Sequence, residues 1–311
     1  MYKYLFLILI FNVCLCHANE YRLFDDDMKT SKIPISPKRI VAGHDLTFSA
    51  PLIELGAPIV GSQYSLIEGK YQIRGLSHLD LPAASKIKNI GMKPLNLEAI
   101  AQLSPDLLVL TNNHFLQRKQ FEKIAPSIYF KRDHSPIDIY RRLADSVGKL
   151  DVFENKLQAY QQQILKLKEQ VSVKKGMTFS MVMFRNGQMS YVRELGALWQ
   201  VLIDVGMQPS KPAGYKYPTN VIPLSSEALL DIDADIIFQL YPTEKQTPES
   251  DIAEANAIFP NYCHFLEGCR NGGRFMSPQS EVLEVSFHGL YKMMEFISPI
   301  IVSVASRNNG Q

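Results

Sequence analysis

The residues best equipped for chemistry are cations and polar-tipped rings that stand just after apolar runs. Arg185 follows the run 177–184, and Arg193 comes a little later. Asn112, Asn113 and His114 follow Leu107-Leu-Val-Leu110, and Tyr241 ends the run 235–240. If those runs are parallel strands, these side chains gather beyond their carboxyl ends, where open α/β sheets bind ligands. A guanidinium there balances an anion, an imidazole donates to an oxygen, and a tyrosine offers an apolar ring with a polar tip. Arg74 and His78, in a loop between strand-like runs, are weaker candidates of the same kind. So is His288, for which burial in the last helix is the default. That chemistry is capture. Bond-breaking lacks a constellation: the chain has no Gly-x-Ser-x-Gly elbow, no His-Glu-x-x-His and no Walker loop. Plainer explanations compete at several positions. Arg185-Asn186-Gly187 has the composition of a simple turn, a lone histidine is commonly structural, and Trp199, the only tryptophan, reads as core.

Positioning these groups calls for two α/β halves. Strand-like runs at 39–43, 58–61 and 107–110 alternate with helical patterns at 49–55, 95–103 and 137–147. Residues 115–124 read as helical and 127–130 as extended. A long polar helix follows over 151–171, with Leu157, Tyr160, Ile164 and Leu167 at three- and four-residue spacing. The alternation then restarts with a strand at 177–184, a helix at 195–205, a short helix at 226–230, a strand at 235–240 and a final helix at 281–297. The predicted fold class is α/β: two lobes, each with a mostly parallel central sheet, joined by one long rigid helix. The expected bounds are 38–148 for the N-terminal lobe, 149–173 for the connecting helix and 174–305 for the C-terminal lobe, after a polar lead over 20–38. No low-complexity segment or flexible linker interrupts the joint.

Bulk properties agree with a globular binder. The chain is 46% hydrophobic and 21% charged, enough for a real core, and its 311 residues exceed what one simple core needs. A net charge of +2 argues against sequence-blind nucleic-acid binding, which requires a clear basic excess. Residues 1–18 have the pattern of a secretory signal: Lys3, an apolar run over 4–15 broken only by Asn12, then Cys16-His17-Ala18. Cleavage is expected after Ala18, and the run is too short for a comfortable membrane span. Lipid attachment at Cys14 or Cys16 is a weaker alternative, because neither follows a Leu-small-small triplet. Cleavage would leave Cys263 and Cys269, six residues apart, in an oxidising compartment. They could pair as a small staple, although spacing alone proves no bridge. His264 is adjacent, but no further ligands gather there, so no metal site is expected.

Several blocks carry a family likeness. They are Arg39-Ile-Val-Ala42, Pro51 to Gly61, Asn89-Ile-Gly-Met-Lys-Pro-Leu-Asn-Leu-Glu98 and Leu103-Ser-Pro-Asp-Leu-Leu-Val109. The second half repeats the theme with Ile222-Pro-Leu-Ser-Ser-Glu227 and Asp233-Ala-Asp-Ile-Ile-Phe238, and 259–277 supplies the closing region. In this order they resemble the helical-backbone class of periplasmic binding proteins, which serve ABC importers of ferric siderophores, haem and vitamin B12. Within that class the chain looks most like the ferric-hydroxamate (ferrichrome-type) binders.

The resemblance implies a monomeric periplasmic protein that is not an enzyme. It would hold a ferric siderophore between its lobes and deliver it to an ABC permease in the inner membrane. It has no cofactor of its own, and iron enters only as part of the ligand. Glu98 and Glu227 occupy matching places, early in a short helix of each lobe, and the likeness implies that they dock to the permease. Each also suits the N-terminus of its own helix. Hydroxamate-type proteins carry an arginine where Lys93 stands and a tyrosine near the place of His114. Lysine supplies a point charge without the planar fork of arginine. Tyr215 and Tyr217 fall in a loop where those proteins set an aromatic residue against the ligand. Haem or cobalamin is the alternative cargo in the same family, with His114, Tyr215 or Tyr217 able to serve haem as axial ligand. A secreted adaptor that binds a protein in its cleft is the alternative of another class.

Overall fold

The computed structural model describes residues 20–67, 69–76, 84–132, 134–171, 176–212, 219–242 and 246–307. The expected signal segment, His78, Tyr215 and Tyr217 lie outside the described residues.

In the first lobe, β3 (Ile40–Ala42), β4 (Ile59–Ser62), β7 (Lys88–Asn89), β8 (Leu107–Thr111) and β9 (Ser127–Phe130) form one sheet in the order β7-β4-β3-β8-β9. Every pairing in it is parallel. Residues of β3 and β8 are buried at every position, as strands covered on both faces must be. The covering helices are α1 (Ala50–Glu54), α2 (Leu97–Gln102), α3 (Arg118–Phe121) and α4 (Pro136–Ser146). Their starts follow local chemistry: the Asn96 side chain accepts the Ala99 N–H at 3.0 Å, and the Ser135 hydroxyl accepts that of Asp138 at 3.1 Å, with Pro136 at the first helical position. A smaller hairpin, β5 (Ser65–Ile67) with β6 (Lys70–Gln72), projects beside this sheet.

The lead expected to be merely polar is structured. β1 (Tyr21–Asp25) and β2 (Thr30–Pro34) form an antiparallel hairpin. Phe24 and Ile33 from it enter the core, and the Ser31 hydroxyl donates to the Ser127 carbonyl at 3.0 Å. Residues 115–124, expected as one helix, begin instead as a 3-10 turn over Asn112–Gln117 and only then become α3.

A single long helix, α5 (Leu150–Val171), connects the lobes. Its 22 residues span about 33 Å. Phe153, Leu157, Tyr160, Ile164, Leu167 and Val171 form its buried face, which includes all four apolar positions read from the sequence.

The second lobe has a mixed sheet. β10 (Thr178–Arg185), β11 (Gln188–Val192), β12 (Gln208–Pro209), β13 (Val221–Leu224), β14 (Ile236–Tyr241) and β15 (Arg274–Pro278) run in the order β13-β11-β10-β14-β15, with β12 alongside β10. The β10–β14, β14–β15 and β10–β12 pairs are parallel, whereas β11 pairs antiparallel with β10 and β13. Helices α6 (Gly196–Asp204), α7 (Pro248–Ile258), α8 (Tyr262–Phe265), α9 (Glu267–Arg270), α10 (Gln279–Val282) and α11 (Phe287–Arg307) complete the lobe. Cys263 of α8 and Cys269 of α9 are joined by a disulfide, with Cα atoms 5.3 Å apart. The final helix starts at Phe287, not 281: α10 ends at Val282 with Leu283 as its cap, and the buried Glu284 lies in the break between the two helices.

The core is continuous from lobe to lobe. Tyr140 of α4, Phe153 of α5 and Phe287 of α11 meet as a ring cluster with centroids 5.1 to 5.6 Å apart. At its edge Glu54 of α1 accepts the Tyr140 hydroxyl at 2.6 Å and the His288 N–H at 3.1 Å. Two open α/β sheets, one connecting helix and a shared hydrophobic junction therefore leave a cleft between the carboxyl edges of the sheets.

Candidate functional site

Two adjoining chambers occupy the cleft. The larger, of about 810 Å³, is lined by Gln63, Ser65, Arg74, Lys93, Arg185 and Gln246, among others. The deeper one, of about 260 Å³, shares Arg74, Lys93, Arg185 and Gln279 with it and adds His44, Arg132 and His134. Both lobes contribute to each.

Arg74 is fixed by a buried partner. Its Nε donates to Asp45 Oδ2 at 2.8 Å and its Nη2 to Oδ1 at 2.7 Å, a bidentate pair. The Ser65 hydroxyl donates to the same carboxylate at 2.7 Å. Burial opposes ionisation of Asp45, but the bonds and charge of Arg74 outweigh it and hold the carboxyl below its ordinary range. Asp45 thus orients the guanidinium beside the cleft, where Arg74 lines both chambers.

Arg185 ends β10 and lines both chambers, with Nη2 donating to Gln279 Oε1 at 2.6 Å. The two readings of its segment coexist. Asn186 and Gly187, with φ of 52° and 74°, make the tight turn into β11, and that turn leaves Arg185 at the strand end. Lys93 lies between Gly91 and Pro94 on the opposite wall. Gly196 forms part of the C-terminal wall, where its φ of 79° and the Val282 carbonyl oxygen, 2.3 Å from any added Cβ, admit only glycine.

Other predicted residues stand elsewhere. His114 is half-buried and Asn113 exposed, and neither lines the two chambers. The His114 Nδ1 is 3.0 Å from the Thr111 hydroxyl, and its ring meets Phe121 edge-on. Burial and the charges of Lys93 and Arg132 depress its pKa, so it borders the cleft electrostatically. Arg193 turns toward Glu194, 3.8 Å away, outside both chambers. Tyr241 is half-buried at the end of β14, and its neighbour Pro242 is the residue that reaches the cleft. Glu98 and Glu227 are exposed, each at the second position of its short helix. The Ser225 hydroxyl helps hold the Glu227 carboxyl below its ordinary range.

The sequence reading missed His44, Arg132, His134 and Gln279. For the first two a signal was present: His44 follows β3 and Arg132 follows β9 by two residues, both at carboxyl ends of parallel strands. A further hollow, at the amino ends of β10 and β14, is explained structurally. Its Asp235 accepts the Thr178 N–H at 2.7 Å, and its Asp233 accepts that of Glu267 at 2.7 Å. Among the described residues no group of three or more His, Cys, Asp or Glu side chains is arranged to hold a metal ion. No helix among them is long and apolar enough to cross a membrane.

The comparisons with known proteins agree with this architecture. The sequence profile of the periplasmic binding protein family matches residues 73–254. The iron(3+)-hydroxamate-binding protein FhuD of Bacillus subtilis is 26% identical over 214 residues, 67% of this chain and 65% of that protein. The match therefore spans somewhat under two thirds of that relative's length. The probable siderophore-binding lipoprotein YfiY of Bacillus subtilis is 26% identical over 270 residues, 78% of this chain and 74% of that protein. Among solved structures, Staphylococcus aureus SirA complexed with staphyloferrin B superposes with a TM-score of 0.76 at 21% identity, covering 90% of this chain and 98% of SirA. The FhuD protein from S. pseudintermedius gives 0.73 at 19% identity, covering 91% and 99%. These likenesses establish the two-lobed fold, the relatives are binding proteins and not enzymes, and the chain belongs to the periplasmic binding protein family.

Proposed function

We propose that the protein is the substrate-binding component of an ABC importer, capturing a ferric siderophore in its interlobe cleft. The carrying observation is the cleft itself: Arg74 and Lys93 from one lobe and Arg185 from the other converge on one space. Cations from both walls suit a ligand held by charge and hydrogen bonds, with no covalent step. Relatives named for iron(3+)-hydroxamate or siderophore binding support the same cargo class. Iron is cargo in this reading, and no resident cofactor is required. The protein acts as a periplasmic monomer and presents Glu98 and Glu227 to the permease. Both carboxylates are exposed, one on each lobe, which suits a two-point contact that fixes orientation. Lys93, Arg74 and Arg185 are the first choice for ligand contacts, with His114, Asn113, Arg193, Tyr215, Tyr217 and Tyr241 as outlying candidates.

A thermal-shift screen with ferric siderophores, haemin and cobalamin side by side tests the reading. A ferric siderophore should raise the melting temperature by several degrees. A rise with haemin or cobalamin alone would reassign the cargo, and no rise with any would favour a protein partner.

A further inference from the structure

We propose that the cleft selects an anionic ferric chelate bearing carboxylates, and that His44 and Arg132 together grip one of those carboxylates. This rests on the reading of the cleft as a ferric-siderophore site and narrows it to one chemical class.

The first observation is charge. Among the described residues, Arg74, Lys93, Arg132 and Arg185 line the two chambers, with Glu254 as the lining carboxylate. Asp45 pairs with Arg74, so among the described lining residues Lys93, Arg132 and Arg185 stand against Glu254. No Phe, Tyr or Trp lines either chamber among the described residues. A neutral chelate wrapped in alkyl chains would find no Phe, Tyr or Trp to stack on among these described residues. A polyanionic chelate supplies counter-charge to Lys93, Arg132 and Arg185.

The second observation is a pair of donors facing each other. The His44 Nδ1 accepts the backbone N–H of Thr47 at 3.1 Å. A backbone N–H can only donate, so Nδ1 is the acceptor nitrogen and Nε2 of the neutral ring carries the hydrogen. Burial, then the charge of Arg132, push the His44 pKa down to about 3, so the neutral ring is the form present. Nε2 lies 3.1 Å from Nη1 of Arg132, a group that also can only donate. Neither satisfies the other. An anionic oxygen beside the pair accepts from both and relieves the mismatch, and the guanidinium offers the planar fork that a carboxylate matches. His44 and Arg132 come from different strand ends, 88 residues apart, so only the folded lobe creates this arrangement.

The test is titration of the intact secreted protein, followed by intrinsic fluorescence and calorimetry. The probes are ferric rhizoferrin (a citrate-based carboxylate chelate), ferrichrome (a neutral trihydroxamate) and ferric enterobactin (an anionic tricatecholate). Ferric rhizoferrin should bind at least about tenfold more tightly than ferrichrome, and its affinity should fall with added salt. His44→Asn keeps an acceptor for the Thr47 N–H, and Arg132→Gln keeps a polar side chain. Each should weaken ferric rhizoferrin by about tenfold or more, with melting temperatures near that of the parent. The double variant should lose less than the product of the two. Ferrichrome binding as tightly as rhizoferrin, preference for enterobactin, or unchanged rhizoferrin affinity in both folded variants would overturn the proposal while leaving siderophore transport intact. Failure of all three chelates to bind would overturn the transport reading itself.

Discussion

Glu54 of the first lobe accepts the backbone N–H of Phe287, the first residue of the last helix of the second lobe, at 3.0 Å. The same carboxylate takes the His288 N–H and the Tyr140 hydroxyl. The first turn of a helix has N–H groups without partners and a partial positive charge, and Glu54 answers both needs from across the junction. The lobes are thus joined by a charged cap as well as by packed rings.

Glu54→Ala should destabilise the protein by about 2–4 kcal/mol, because three donors lose their acceptor at once. Urea unfolding measures it, with far-UV circular dichroism to confirm that the helices persist. A loss below about 0.5 kcal/mol would mean that the cap is dispensable.

Glu284 predicts a pH dependence. Its side chain is 2% exposed, accepts a hydrogen bond from the Ser286 hydroxyl, and is faced by Glu54, Lys292 and Glu281. Burial is the main cause that raises its pKa from 4.5 to about 7. Between those values the unfolded chain ionises while the folded chain keeps its proton, so stability falls as pH rises through that window and levels off above it. The decline is on the order of 3 kcal/mol. Glu284→Gln should flatten that part of the stability profile and exceed the parent at pH 8. An unchanged slope between pH 5 and 8 would remove Glu284 as its source.

Gly75→Ala should strain the contact with Glu284 and destabilise the protein. Gly75 has a φ of 77°, and an added Cβ would lie 3.1 Å from the Glu284 carboxyl carbon. The backbone conformation alone costs about 1–3 kcal/mol for a residue with a side chain. Thermal unfolding reads the loss, and a melting temperature within about 1 °C of the parent's would count against Gly75 as a strained position.

The docking role proposed for the exposed glutamates makes a separable prediction. Glu98→Ala combined with Glu227→Ala should reduce cellular uptake of the ferric ligand by about tenfold or more while leaving ligand affinity unchanged. A large loss of affinity would instead place these residues in ligand binding.

The sequence made the strands legible where burial on both faces forces an unbroken apolar run, as in Leu107 to Leu110. It made the connecting helix legible because one apolar stripe recurs from Phe153 to Val171. It hid β11 and β13, whose short alternating patterns follow antiparallel pairing at the sheet edge. Arg74 was found from its loop, Lys93 from family likeness and Arg185 from its place at the end of a strand-like run. His44 and Arg132 were not, because their meaning lies in a contact between residues far apart in the chain. Glu54 gave no signal either, since a cap supplied by another lobe has no local spacing rule.

The connecting helix has one more consequence. Tyr140, Phe153 and Phe287 brace the two lobes at their junction, and Glu54 latches them. In the proposed importer, a carrier braced in this way would change little in outline on loading, and its permease would have to read occupancy at the rim, from the exposed face of the cargo and the side chains touching it. Proofreading of cargo would then fall as much to the receptor as to the carrier.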